Sequence, residues 1–140
     1  MADTVTTRYI FPPNWDGYYP DGRKPEKRYI VNFTCISDGT GETDVIKLAL
    51  GDFLNPSGGA AEKFVVENID VSGYGFTYIT LEFDRAPHQL ACLISDTANF
   101  NFGPNGIIDD GIGGTGNLIL TTSGATAGDS YSITVTFRVK

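Results

Sequence analysis

Histidine and cysteine are scarce in this chain, which has one histidine and two cysteines among 140 residues. Zinc sites are built mainly from three or four His and Cys ligands, and His88, Cys35 and Cys92 are the whole supply of those two types. A Ser-His-Asp triad needs an activated nucleophile, and the sequence has no G-x-S-x-G elbow. Carboxylate pairs remain, but among 17 acidic residues a chance pair carries no weight. We therefore expect a protein that is not an enzyme and takes no cofactor.

Basic residues are also few. Ten Lys and Arg stand against 17 Asp and Glu, which gives a formal net charge of -7 and a pI of about 4.4. Nucleic acids and anionic membrane surfaces attract proteins through clusters of Lys and Arg. We therefore expect neither nucleic acid nor a membrane as a partner. The acidic surface favours a protein that stays dispersed until it meets its target, and a plain solvated surface is the simpler alternative.

Long apolar runs are absent, and none approaches the roughly 20 residues of a membrane-spanning helix. Residues 1–5 have neither the basic start nor the apolar centre of a signal peptide. The expectation is synthesis in a cytoplasm without export. Two cysteines are too few for a disulfide scaffold. Cys35 and Cys92 are therefore predicted to form either one cross-sheet disulfide or two buried thiols that act as small hydrophobes.

Helix-forming residues never cluster at helical spacing, whereas 17 Gly and 7 Pro indicate many turns. This composition predicts an all-β domain. A chain of this length can bury roughly two thirds of the surface of its unfolded form, which suits a single domain over residues 1–140.

Alternation with a period of two is clearest in residues 28–50. Tyr29, Val31, Phe33 and Cys35 alternate with Ile30, Asn32 and Thr34, and Ile46, Leu48 and Leu50 repeat the pattern after the polar stretch 37–42. The pattern predicts two strands joined by a glycine-containing loop. They are either hairpin partners or members of two different sheets.

Similar alternation predicts about eight strands in all. Besides the two strands of residues 28–50, we expect strands at 4–11, 63–71, 76–84, 88–95, 115–122 and 130–140. Inward positions are expected at Leu90, Cys92 and Ile94, and along Tyr131, Ile133, Val135, Phe137 and Val139. Eight strands at this spacing predict an antiparallel two-sheet sandwich that resembles a jelly roll, with an Ig-like Greek key as the alternative.

The first long loop spans residues 12–27 and is rich in aromatic residues, Pro and Gly. It contains Trp15, Tyr18 and Tyr19. Trp and Tyr are favoured at protein interfaces and as stacking platforms for sugar rings. The loop is therefore predicted to be either a contact surface or a flap that buries its own rings against the end of the sandwich.

The second long loop spans residues 96–114 and is predicted to be irregular, because glycine and asparagine are frequent there. Its apolar residues need cover, and Phe100, Phe102, Ile107 and Ile108 are candidates for partner contact. Asn101, Asn105, Asp109 and Asp110 are weak candidates for a calcium site around Gly106. The alternative is a glycine-rich turn in which Asn and Asp side chains cap backbone groups.

Four segments carry a resemblance to a known family: TVTTRYIF, KRYIVNFTCISDGTGETDVIKLAL, GFTYITLEFDR and GGTGNLILTTSGATAGDSYSITVTFRVK. The most specific parts are ISDGTGETDVIKL, GGTGNLILTT and SYSITVTFRVK. Together the segments cover a little over half of the chain and resemble the small head-decoration, or cement, proteins of tailed bacteriophages. The resemblance implies a β-sandwich, often trimeric, that binds the outside of a capsid shell and holds neighbouring capsid subunits together.

Two functions from different classes follow from these observations. The first is a virion structural protein on the capsid exterior, made in the host cytoplasm, with the major capsid protein and its own copies as partners in a homo-trimer. The second is a carbohydrate-binding or adhesin-like module that stacks Trp15, Tyr18 and Tyr19 on sugar rings. Copurification with capsids favours the first function, and retention on an insoluble polysaccharide favours the second.

Overall fold

The structure is a computed structural model that describes residues 3–11, 29–54, 59–95, 97–103, 106–109 and 111–140. The loop 12–27 with Trp15, Tyr18 and Tyr19 lies outside the described residues, as do Asn105 and Asp110. The strands are β1 (Thr4–Phe11), β2 (Tyr29–Ile36), β3 (Val45–Leu48), β4 (Phe64–Tyr74), β5 (Tyr78–Phe83), β6 (Gln89–Ile94), β7 (Ala98–Asn101), β8 (Ile107–Ile108), β9 (Leu118–Ser123) and β10 (Ser130–Val139). A short 3-10 helix spans Leu50–Asp52.

The strands form two antiparallel sheets. The first sheet has the order β1-β2-β10-β4-β7, with β8 also paired to β4, and the second has the order β3-β9-β5-β6. The chain passes from one sheet to the other at most of its connections. Without the edge strand β1 and the short strand β8, the two sheets have the orders β2-β10-β4-β7 and β3-β9-β5-β6. This interleaved order is that of a jelly roll. The predicted two-sheet sandwich is confirmed, and the Ig-like alternative is wrong. Because β2 and β3 lie in different sheets, the loop at residues 37–42 crosses between sheets and does not close a hairpin.

The core lies between the two sheets, and β10 runs through the centre of the first. The five alternating residues of β10 that were expected to point inward are all buried: Tyr131, Ile133, Val135, Phe137 and Val139. At one end the rings of Tyr29, Phe53, Phe64 and Phe137 pack together, with centroids of neighbouring rings 5.2 to 5.6 Å apart. Aromatic pairs at this spacing add to the free energy gained by burial alone.

Both cysteines are buried free thiols, which confirms the prediction of two buried thiols and not that of a cross-sheet disulfide. Burial raises the pKa of Cys92 to about 12. Both thiols therefore stay protonated at neutral pH and pack as small apolar groups.

Two positions that were expected to point inward are exposed, since β-bulges interrupt the alternation. Ile46 is 57% exposed and Leu90 is 54% exposed. The pairing of β3 with β9 shifts between Ile46 and Leu48, and the pairing of β5 with β6 shifts between Leu81 and Glu82. A bulge adds one residue to one strand and so reverses the faces beyond it. In β3 the bulge also leaves Lys47 buried.

The prediction that residues 96–114 are wholly irregular is wrong, because two short strands form there. β7 pairs with residues 68–71 of β4, and β8 pairs with Val65 and Val66. Both strands complete the backbone hydrogen bonds of β4, whose edge would otherwise be open. Tertiary pairing therefore decides the structure of a segment whose composition favours turns.

Among the described residues, no helix is long and apolar enough to span a membrane.

Candidate functional site

A buried ion pair lies under the loop that crosses between the sheets. The Glu42 side chain turns inward, and its Oε2 is 2.6 Å from Lys47 Nζ. The Tyr131 hydroxyl donates a hydrogen bond to Oε1 of the same carboxylate, at 2.5 Å. Both charged side chains are almost completely buried. Residues 36–48, ISDGTGETDVIKL, therefore supply both members of an internal ion pair.

The groups around this pair are held in fixed protonation states. Burial, followed by the hydrogen bond to Glu42, raises the pKa of Tyr131, so the phenol remains a donor. Burial and the nearby Glu42 carboxylate raise the pKa of Cys35 to about 11, so Cys35 is not an activated nucleophile. Asp3 Oδ1 accepts hydrogen bonds from the Ser37 hydroxyl at 3.0 Å and the Asp38 amide at 3.1 Å, which fastens the start of β1 to the loop. Tyr131 and Asp3 therefore hold the loop and the buried ion pair in place.

A second internal ion pair uses one of the calcium candidates. Asp109 is fully buried, and Arg85 Nε lies 3.0 and 2.8 Å from its two carboxylate oxygens. Asp109 Oδ1 also accepts a hydrogen bond from the Gly111 amide, and Asn101 Oδ1 accepts one from the Gly103 amide at 2.8 Å. These contacts favour the alternative prediction of a turn capped by Asn and Asp side chains. Asn105 and Asp110, the other two candidates, lie outside the described residues.

Residues 111–116 spell G-x-G-x-x-G, a motif that marks dinucleotide sites when it follows a strand and opens a helix. Here the run joins β8 to β9, and no helix follows it in the described part of the chain. Close packing explains two of its three motif glycines. A Cβ on Gly111 would lie 2.6 Å from Arg85 Cγ, and one on Gly116 would lie 2.9 Å from Leu50 Cδ2. The motif therefore serves packing in this fold.

The apolar residues predicted for partner contact divide into two groups. Phe100 and Phe102 stack on each other at 6.4 Å, and together with Ile107 they are half-buried against the core. Ile108 and Ile112 are exposed. Three of the predicted contact residues therefore pack on the domain itself, while the end of this segment offers apolar surface to solvent.

Val5 and Thr7, on the inward side of β1, are exposed, a feature that the sequence analysis missed. Val5 is paired with Cys35 and Thr7 with Phe33, so their side chains share the inward side of the first sheet. Cys35 and Phe33 are buried, whereas Val5 is 37% exposed and Thr7 is also exposed. Strand β1 is the edge of its sheet, and residues 4–8 are exposed on both of its faces. The sequence gives only a weak indication of this exposure, because Val5 is the one strongly apolar residue between positions 4 and 8.

A cleft of about 250 Å³ opens at the end of the sandwich between the β4–β5 turn and the end of β6. Its walls include Tyr74, Phe76, Ile79, Ile94 and Ser95. Tyr74 is 75% exposed, while the other apolar walls are buried. An exposed ring beside a partly polar cleft can stack on a flat ligand. Tyr74 falls between the strands predicted at 63–71 and 76–84, and its sequence context indicated no role.

Comparison with known proteins gives no family assignment. No family model matches the chain, and no curated protein matches it. Among solved structures, it is similar to two mutants of family 29 carbohydrate-binding modules, at 10% sequence identity and TM-scores of 0.37 and 0.38. Each similarity covers 97% of this chain and 92% of the other chain. At this identity and TM-score the similarity carries no argument about function.

Proposed function

We propose that the chain is a non-enzymatic virion structural protein that binds the outer surface of a phage capsid and stabilises contacts between capsid subunits. The resemblance of four segments to head-decoration proteins supports this function. The internal use of Glu42 with Lys47 and of Asp109 with Arg85 supports it as well, because these four charged groups are paired with one another inside the fold and are not free to act as acids or bases. The partners in this proposal are the major capsid protein and further copies of the chain.

The uncovered β1 is the observation that carries the proposal. Its outer edge has no strand partner among the described residues. Edge strands are normally guarded by proline, inward-pointing charge or a covering segment. Residues 4–8 contain no proline, and their single charge, Arg8, is paired with Asn32 on the outward side, while the register shift of the strand lies beyond them, between Tyr9 and Phe11. A strand with an open edge and a bare inward face is suited to pairing with another chain, and closed symmetry such as a trimer satisfies every copy equally.

Val5→Asp is expected to prevent this association while leaving the isolated domain folded. An aspartate on the inward side of β1 would be buried without a partner in the assembly, but it stays near water in the monomer. Light scattering after gel filtration should show trimers for the wild type and monomers for Val5→Asp. The matched control is Thr6→Asp, which lies on the opposite side of the same strand and should remain trimeric.

Wild type, Val5→Asp and Thr6→Asp also test whether the protein binds capsids. After mixing with undecorated capsids and sedimentation, wild type and Thr6→Asp should be recovered with the particles at a copy number comparable to that of the coat protein. Val5→Asp should stay in the supernatant, since a decoration protein gains avidity from its own assembly. Equal recovery of Val5→Asp would show that β1 has no part in decoration, and absence of the wild type from the particles would reject the function.

Carbohydrate binding is the second candidate, and the Tyr74 cleft is the observation that favours it. A pyranose ring could stack on Tyr74 while Ser95 and the backbone of the adjacent turn supply polar contacts. In this case wild type should be retained on an insoluble polysaccharide and Tyr74→Ala should not. Because Tyr74 is exposed, the substitution should leave the thermal midpoint nearly unchanged.

A further inference from the structure

The outer face of the second sheet brings together three side chains that can bind a metal. Asp44 lies just before β3, Glu82 lies in β5, and His88 lies just before β6. Their donor atoms, two carboxylate oxygens and one imidazole nitrogen, all lie within 4.8 Å of one another. The residues are separated by up to 44 positions in sequence, so only the fold assembles the set.

Strand register explains why the side chains converge. Ile46 of β3 and Glu82 of β5 both pair with Ile119 on the intervening strand β9. The Thr121 hydroxyl of β9 donates a hydrogen bond to Asp44 Oδ1 at 3.2 Å, and accepts one from the Asp44 amide at 2.9 Å. Asp44 is therefore held beside the central strand. The register shift between β5 and β6 lies between Leu81 and Glu82, at the residue that contributes the second carboxylate.

The charge of this cluster is unlike that of the two buried carboxylates described above. Glu42 is paired with Lys47, and Asp109 with Arg85. In contrast, no Lys or Arg in the described part of the chain forms an ion pair with Asp44 or Glu82. A third carboxylate adds to the negative charge, because Asp84 Oδ1 lies 3.4 Å from His88 Nε2. The negative charge of Asp44 and Glu82 is therefore not balanced by an ion pair with a Lys or Arg of the described residues, and a bound cation would balance it.

We propose that Asp44, Glu82 and His88 form a binding site for a divalent transition metal, with Zn²⁺ as the reference ion. One imidazole and two carboxylates match the borderline character of Zn²⁺, whereas Ca²⁺ and Mg²⁺ prefer oxygen donors throughout. Bond lengths of about 2.0–2.2 Å place the donors of a tetrahedral site about 3.3 Å apart. The side chains of all three residues are at least partly exposed, so small rotations can close the remaining distance.

Asp84 is a positioning residue in this proposal. A histidine that binds a metal through one ring nitrogen usually donates a hydrogen bond from the other to a carboxylate, a backbone carbonyl or water, which fixes the orientation of the ring. Asp84 is itself fixed, because its Oδ2 accepts a hydrogen bond from the Thr115 hydroxyl at 2.6 Å. Since His88 Nε2 faces Asp84, Nδ1 is the ring nitrogen that would bind the metal in this proposal.

The other cluster with metal-like spacing is not a candidate. Asp3, Cys35 and Glu42 also lie within 4.8 Å of one another. However, the Cys35 thiol is protonated at neutral pH, and the Glu42 carboxylate is already bound by Lys47 and Tyr131. Zinc at that position would have to break an internal ion pair.

A metal at Asp44, Glu82 and His88 would connect the two edges of the second sheet. Strands β3 and β6 are its edges, and β9 and β5 lie between them. A ligand that binds the folded state and not the unfolded state raises the thermal midpoint. The site would therefore stabilise the sheet opposite to the one that carries β1, and it does not depend on the function proposed above.

The test uses protein without an affinity tag, freed of metal with a chelator and titrated with ZnCl₂ in a calorimeter. We expect one Zn²⁺ per chain and, at roughly 100 times the dissociation constant, a rise in the thermal midpoint on the order of 5–10 °C. Glu82→Gln and His88→Asn should each weaken zinc binding by at least about tenfold. Asp70→Asn, an exposed carboxylate on the outer face of the first sheet, is the matched control and should bind zinc as the wild type does.

Three results would overturn the proposal. These are the absence of saturable heat with wild type, binding by the two variants equal to that of Asp70→Asn, and an equal midpoint shift with CaCl₂ or MgCl₂ in place of ZnCl₂. If Glu82→Gln or His88→Asn has a lower thermal midpoint than the wild type in the absence of metal, zinc binding by the other of these two variants is the result that counts. Co²⁺ gives an independent readout, because a site with a nitrogen ligand and few waters shows visible absorption bands that both variants should lose.

Discussion

Val135→Asp is expected to destabilise the protein by several kcal/mol, or to prevent folding altogether. Val135 has no solvent exposure, and it lies in the central strand β10 between Val31 of β2 and Ile69 of β4. An aspartate there would place a charge in an apolar layer without a hydrogen-bond partner. Urea unfolding followed by circular dichroism measures the difference.

Thr136→Asp is the matched control for this substitution. Thr136 is the next residue of β10 and points to the outer, half-exposed side of the sheet, where the new carboxylate stays in water. We expect a change of less than about 1 kcal/mol. A Val135→Asp protein that unfolds at the urea concentration of the wild type would contradict the assignment of the core.

Glu42→Ala is expected to cost about 3–5 kcal/mol in free energy of unfolding, the range for removing one partner of a buried ion pair. The substitution leaves the Lys47 ammonium buried without its carboxylate and removes the acceptor of the Tyr131 hydroxyl. The exposed neighbour Thr43 provides the control, and Thr43→Ala should change the stability little.

A double substitution separates the ion pair from the loop that carries it. Replacing both charges, as in Glu42→Leu with Lys47→Met, removes the unpaired ammonium and should recover most of the lost stability. If the double variant is as unstable as Glu42→Ala, the loss comes from the loop conformation or from Tyr131. If Glu42→Ala itself is as stable as the wild type, the buried pair does not stabilise the fold.

The sequence predicted the long strands well, because a period of two is visible wherever one face of a strand is continuously buried. Strand β10 is the clearest case. The prediction failed where pairing with a neighbour outweighs local pattern. Ile46 and Leu90 are exposed on account of bulges whose positions depend on the partner strand. Strands β7 and β8 form in a segment rich in Gly and Asn, since β4 offers them an edge.

Candidate sites were harder to predict, because each is assembled from distant parts of the chain. Arg85 and Asp109 form an ion pair across 24 positions, and nothing near either residue in sequence indicates the other. Asp44, Glu82 and His88 converge only once the four strands β3, β9, β5 and β6 are in register. The exposure of Val5 and Thr7 on the inward side of β1 is likewise a property of the whole sandwich.

An electron-microscopy reconstruction of particles carrying this protein tests the proposed capsid role most directly. We expect density for the β-sandwich on the outside of the shell, with each copy in contact with at least two coat subunits and with β1 against a neighbouring copy. Particles that carry the protein on a tail or fibre, or that lack it on the shell at any site, would contradict the account.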